Sequence, residues 1–382
     1  MELTQTFLGE RIARARERAR LSQETLAELV GLTQSAISRI EAGERSIESL
    51  ELARLAKALH ISVLDLLEAR PLMEELLVAA RAEAAESAGL DRALNRVVDL
   101  VRLEQLVKEA DEYEAPRPLA EVSRPNDQSP VVEGERLAQQ VRDLWCLDDD
   151  PMPNNFESLL EDLSGLSIAL EPLGEQVAGL YACVNETAIA LVDSSVPFGR
   201  QRFTVAHELC HFLLRDTDRL IVDERLTGRS NAERRANAFA AHFLMPQKSV
   251  RRYLRNREPG EEVVVELVYT FGVSLQALLW HLFNLNLLSR NRLRRIQEIG
   301  LKSLSTRYGY GDVWQRLDAE QGLTRPPRHL REHATSAFDR GVIGIEPLAD
   351  LLGRTDPDGL RRELEDQGIG ARENWWEETT PT

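Results

Sequence analysis

Apolar residues recur at helical spacing along most of this chain. Leu8, Ile12, Ala15 and Ala19 share one face of a first helix. Ser22, with Glu24 and Thr25 in the first turn, opens a second helix that Gly31 interrupts. Thr33 caps a third, running to Ala42-Gly43; a fourth covers about Ser49–Leu59 and a short fifth Ser62–Glu68. Residues 71–113 read as one or two longer helices, broken near Ser87–Gly89, with Leu76, Leu77, Leu94, Val97, Val98, Leu100 and Val101 as the stripe that needs a partner. Proline and polar residues then dominate 114–130, the pattern of a linker.

Helical spacing returns from Glu133 to Trp145 and over Asn155–Leu163. Three short apolar runs, Ser167–Glu171, Gly179–Val184 and Ala188–Val192, predict strands. They precede a long helix around 203–214, a loop, and a helix from Asn231 to Met245. Residues 246–290 are helical with breaks at Pro246 and Pro259-Gly260; residues 291–382 are helical, charged and polar at the end. The fold expected is mainly α with a small β-sheet (α+β). Its parts are an all-α bundle over 1–70, a helical spacer and linker over 71–130, an enzyme-like domain over 131–290 and a C-terminal helical region over 291–382.

Composition narrows the class. The chain has 382 residues, enough for two or three cores. It has no run of about eighteen apolar residues and no basic-then-apolar leader, so no membrane partner is expected. Three scattered cysteines fit reduced thiols in a cytoplasm. The net charge of −16 excludes a protein that coats nucleic acid by charge alone. The charge is uneven: residues 1–70 are near balance at −1, whereas 131–200 hold three Arg against thirteen Asp/Glu, a net of −10. That stretch is either a solvated acidic face or a surface for a basic partner.

Ser22–Ala42 reads SQETLAELVGLTQSAISRIEA. Two short helices around a glycine turn make a helix-turn-helix, whose second helix enters a DNA major groove. Ala36, Ile37 and Ile40 face a core, whereas Thr33, Gln34, Ser35, Ser38 and Arg39 face outward with the donors and acceptors that read base edges. Gln23 and Arg45 are placed for backbone contacts. Over about residues 7–68 the pattern resembles the XRE (Cro/repressor-like) helix-turn-helix family, which implies binding to double-stranded operator DNA, usually as a homodimer.

The strongest chemical signal is FTVAHELCHFLL at 203–214, with His207, Glu208 and His211 as H-E-x-x-H. Residues four apart on a helix lie on one face, so two imidazoles can grip one metal while Glu208 acts as general base. A hydrolytic zinc site needs a third protein ligand. The best candidate is Glu233, at the start of ERRANAFAAHFLMP; Asp223 and Glu224 are alternatives. Ser230-x-x-Glu233 is also a capping box, which would turn that carboxylate to a backbone N–H instead. Cys210 is either buried packing or a redox-sensitive thiol near the metal.

FTVAHELCHFLL followed by E..AN.FA..FLMP, with RDLWCLDDDPMPN at Arg142–Asn154 and FGVSLQALLWHL at Phe271–Leu282, resembles the ImmA/IrrE zinc metallopeptidases over about 133–290. That resemblance implies a zincin-like domain with Zn2+ on His207, His211 and Glu233, and cleavage of helix-turn-helix repressors. Two departures stand out: Cys210 replaces the usual glycine before the second histidine, and His242 stands where many members have an acidic or polar residue. The expected function is a DNA-binding regulator with a fused zinc endopeptidase that cleaves a partner repressor or itself. The alternative is a repressor whose peptidase-like domain is a non-catalytic sensor or an antitoxin-like binding module. A substrate strand is expected to pair with the sheet edge around Gly179–Val192.

Overall fold

The computed structural model describes residues 4–19, 21–59, 63–67, 88–111, 122–125, 127, 129–174, 177–184, 187–216, 220–224, 230–255 and 257–370. Contacts divide the chain into two compact units, Met1–Glu83 with Leu94–Val98, and Ala84–Ala93 with Asp99–Thr382. Residues 71–87, most of the 114–130 linker, and Trp375 and Trp376 lie outside the described residues.

In the first unit, among the described residues of 1–83, the helices are α1 (Gln5–Arg18), α2 (Gln23–Val30), α3 (Gln34–Glu41), α4 (Ser49–Ala58) and α5 (Val63–Leu67). Ile12, Leu26, Val30, Ile37, Ile40 and Leu55 form its core and are almost wholly buried. Side-chain oxygens of Thr4, Ser22 and Thr33 accept the first free backbone N–H groups of α1, α2 and α3 at 3.2, 3.0 and 3.2 Å. Such caps are worth about 1 kcal/mol each. Gly31 ends α2 at φ +69°, where a side chain would be strained.

Helix α6 (Ala88–Asp111) belongs to the second unit apart from Leu94–Val98, and α7 (Pro130–Leu144) and α8 (Phe156–Ser164) follow it there. A four-stranded sheet comes next: β1 (Ser167–Glu171), β2 (Val177–Val184), β3 (Thr187–Asp193) and, after α9 (Phe198–Leu214), β4 (Leu220–Glu224). The order is β1-β3-β2-β4, with β1 parallel to β3, and β2 antiparallel to both β3 and β4. The expected substrate edge around Gly179–Val192 is therefore wrong: β2 and β3 are both interior strands. The edges are β1 and β4, and β4 is a strand the apolar pattern did not reveal.

Two helices complete the part of the unit around the sheet: α10 (Asn231–Leu244) lies along α9 and α7, and α11 (Gln247–Leu254) succeeds it. Gly134 permits the close crossing of α7 and α10, since a Cβ there would fall 2.8 Å from the Phe239 amide and 2.9 Å from the Ala238 Cβ. Phe156, Leu209, Phe239, Phe243, Val264, Phe271 and Leu278 fill the core. The motif at Arg142–Asn154 is fixed by two buried arginines. Arg142 donates to the carbonyls of Asp148 (2.8 Å) and Phe243 (2.6 Å), and Arg202 to that of Pro153 (2.9 Å). Burial lowers both guanidinium groups to about 10.

The core continues without a break into the rest of the chain, through α12 (Glu261–Phe271), α13 (Leu275–Asn284), α14 (Arg290–Ile299) and α15 (Leu301–Arg307). Beyond them lie α16 (Gly311–Ala319), α17 (Arg328–Asp339), α18 (Ile345–Leu351) and α19 (Pro357–Asp366). Leu293, Ile296 and Leu304 belong to the same apolar cluster as Phe243. Leu170 of β1 and Arg325 exchange backbone hydrogen bonds of 2.9 and 2.8 Å, so the chain beyond 291 adds a bridge to the outer edge of the sheet. Among the described residues no single helix is long and apolar enough to cross a membrane.

Candidate metal centre and recognition helix

Helix α9 carries His207, Glu208 and His211 into the interior at 2%, 0% and 0% exposure. The first turn of α10 brings Glu233 against the two imidazoles. His207 Nε2 lies 3.1 Å from His211 Nε2 and 3.2 Å from Glu233 Oε2; His211 Nε2 lies 3.4 Å from Glu233 Oε1. Donors on a tetrahedral zinc at its usual bond lengths stand roughly 3.3–3.5 Å apart, so this triangle fits such an ion. Among the described residues it is the group of His, Cys, Asp and Glu that converges in this way.

The capping alternative for Glu233 resolves by division of labour. Ser230 Oγ accepts the Glu233 backbone N–H at 3.1 Å, while the Glu233 carboxylate turns to the histidines. Burial works against that carboxylate's charge, but the two imidazoles outweigh it and hold the group well below the usual range. His211 is likewise disfavoured as a cation by burial, yet Asp216 and Glu233 raise it above its ordinary value.

Asp216, just past the end of α9, was not foreseen. Its Oδ2 lies 2.9 Å from His211 Nδ1 and so accepts that ring's proton, leaving the Nε2 lone pair aimed at the donor triangle. Asp216 is itself held by Arg235, which is 2% exposed and also pairs with Glu133 at 3.2 Å. Glu133 in turn meets Arg124 at 2.9 Å. A carboxylate five residues after the second histidine, beyond the helix, is the signal that could have revealed it.

Glu208 is fixed from the sheet side. Gly179 of β2 packs directly on it: a Cβ there would lie 2.6 Å from Glu208 Oε1 and 2.5 Å from Thr204 Cγ2. Cys210 is fully buried, and burial, reinforced by Asp216, pushes its thiol far up. Its burial supports the packing reading. His242 packs edge-on to His281 with ring centroids 4.8 Å apart and takes no part in the donor triangle. Asp223 and Glu224 lie on β4, and their side chains are outside the described ones.

In the first unit, α3 presents Thr33, Gln34, Ser35 and Arg39 on an exposed face, with Ser38 half-buried. Gln34 Nε2 donates to Gln23 Oε1 at 2.8 Å, and Gln23 Nε2 to Glu41 Oε2 at 2.8 Å, which fixes both amides in advance. Arg45 is used differently from the other six. Its guanidinium donates to Glu51 at 2.8 Å, tying the turn after α3 to α4.

The chain thus joins a helix-turn-helix unit to a domain in which a mixed sheet packs on paired helices that carry an HExxH motif. Comparison with known proteins gives the same division. Residues 12–66 match the family model described as helix-turn-helix, and residues 162–282 that described as the IrrE N-terminal-like domain. The radiation response metalloprotease IrrE of Deinococcus radiodurans is 30% identical over 183 residues, covering 44% of this chain and 54% of that protein. Its namesake from Deinococcus deserti is 33% identical over 132 residues, 33% of this chain and 45% of that one. The chain thus spans about half the length of the curated relatives it matches. ComR from Streptococcus suis aligns over 96% of this chain and 89% of its own, at 10% identity and a TM-score of 0.17.

Proposed function

We propose that the chain is a DNA-binding regulator whose second domain is a zinc endopeptidase acting on a regulatory protein, a partner helix-turn-helix repressor or the chain itself. The observation that carries this is the donor triangle of His207, His211 and Glu233 with Glu208 buried beside it. The name of the Deinococcus relatives supports a role in a stress response. Operator binding by a cytoplasmic homodimer through Gln23, Thr33, Gln34, Ser35, Ser38 and Arg39 completes the reading. Arg45 serves it indirectly, by holding the turn after α3.

A zinc ion on the three donors supplies Lewis-acid activation of water and of a scissile carbonyl. Glu208 takes a proton from the attacking water on a carboxylate oxygen and returns it to the leaving amine. Gly179 leaves room for that carboxylate against β2, since a Cβ there would lie 2.6 Å from Glu208 Oε1. Asp216 orients His211 through Nδ1, and against the burial that disfavours its charge, His211 and Arg235 hold Asp216 below its ordinary value. An extended substrate backbone can add to the outer edge of β4, the strand next to β2.

The test is co-expression of the chain with a candidate small helix-turn-helix repressor, followed by intact-mass analysis of both proteins. Discrete cleavage fragments of either protein support the peptidase. Two intact masses under an inducing stress give the site to a non-catalytic sensor.

A further inference from the structure

The acidity of the chain hides a strongly basic surface in the second unit. Residues 246–307 contain eleven Lys/Arg against five Glu, a local net charge of +6 in a chain of −16. Helix α11 places Lys248, Arg251 and Arg252 at i, i+3 and i+4 on an exposed face opposite buried Val250 and Leu254, and exposed Arg255 follows as its left-handed C-cap. Helix α14 buries Leu293 and Ile296 and exposes Arg290, Arg292, Arg294 and Arg295. The Arg292–Glu258 ion pair, 2.7 Å, ties α14 to the loop that leaves α11 three residues after Arg255. That pair sets the basic residues of α14 near the segment that follows Arg255.

Among the described residues Lys248, Arg251, Arg255, Arg290, Arg294 and Arg295 form no ion pair within the fold. The pairs that neighbours make, such as Arg252–Asp150 and Arg292–Glu258, are solvent-exposed and neutralise the surface only weakly. Six exposed, uncompensated cations, five of them arginines, are chemistry suited to phosphate oxygens, which a guanidinium engages through two parallel N–H donors.

We propose that the α11–α14 surface is a second nucleic-acid contact, binding the phosphate backbone of duplex DNA without reading sequence. It is separate from α3. It supplies in the second unit the phosphate-directed charge that the near-neutral first 70 residues lack. The occupant is argued from charge complementarity and from the helix-turn-helix unit on the same chain, which brings the protein to duplex DNA.

The test uses the full chain and a fluorescent random-sequence duplex of about 60 base pairs, with affinity measured across a salt series. Arg290→Ala/Arg294→Ala/Arg295→Ala and Lys248→Ala/Arg251→Ala/Arg255→Ala are compared with wild type. Each should lower the slope of log affinity against log salt by about 0.9 for every phosphate no longer neutralised, and weaken binding roughly tenfold near 0.1 M salt. Gln34→Ala/Arg39→Ala, measured alongside, reports failure of the α3 reading separately. Melting curves confirm folding, which these exposed positions should not disturb. Unchanged slope and affinity in both triple variants overturn the proposal. An unchanged DNA slope with abolished binding to polyglutamate overturns it too, and gives the surface to an acidic protein.

Discussion

His211 and Asp216 are locked together: the carboxylate accepts the Nδ1 proton at 2.9 Å, and the opposite ring nitrogen is left facing His207 and Glu233. Neither partner is free to turn, because Arg235 holds the other oxygen of Asp216. Asp216→Asn should lower zinc affinity about 10- to 100-fold, measured by competition with a chelator. The same change leaves buried Arg235 with only Glu133, so a modest fall in melting temperature accompanies it.

Gly179→Ala tests the contact between sheet and general base. The added methyl would meet Glu208 Oε1 and Thr204 Cγ2, and one of them must move. Displacement of about 1 Å at a reacting group is worth roughly 10²-fold in rate. Zinc content should stay near one per chain while cleavage falls by that order.

A buried carboxyl away from the metal site makes a pH prediction. Burial raises Glu161 to about 8, although it accepts the amides of Ile168 and Arg328. Its neighbour His329 is lowered by burial to about 4. From pH 4.5 to 8 the folded state holds a proton on Glu161 that the unfolded chain has released, so this group's contribution to stability declines as pH rises. His329 acts the opposite way, but only from about 4 to 6.5. Between pH 6.5 and 8 stability should therefore fall, by up to about 1.4 kcal/mol per pH unit. Glu161→Gln should flatten that slope, read as melting temperature against pH.

Arg39 and Arg45 are both expected at DNA, Arg39 at bases and Arg45 at the backbone, and the structure separates them further. Arg39 is exposed. Arg39→Ala should leave melting unchanged and weaken operator binding by about 1–3 kcal/mol. Arg45→Ala strands Glu51, which is 7% exposed, and should cost about 1–3 kcal/mol of stability in the first unit.

What could be read in advance was local. Ser167–Glu171 is a strand with the bounds its apolar run suggested, and the helix starts at Ser22, Thr33 and Ser230 are set by hydroxyls that cap their own next turn. Spacing alone put His207 and His211 on one face. What could not be read depends on chain segments far apart. The order β1-β3-β2-β4 inserts β3 between β1 and β2, and no periodicity encodes that. Gly179 looks like any small strand residue until β2 lies on α9. The apparent boundary near 290 dissolves because Leu293 and Ile296 join the core begun by α9 and α10.

The most direct measurement compares purified wild type with Glu208→Gln for zinc content and for cleavage of a co-expressed candidate repressor. Both proteins should carry about one zinc, because Glu208 lies outside the donor triangle. Only the wild type should cut, with the variant slowed by at least about 10²-fold. Equal cleavage by both proteins, or a wild type that binds no metal and leaves the repressor whole, would contradict a zinc peptidase with Glu208 as its base.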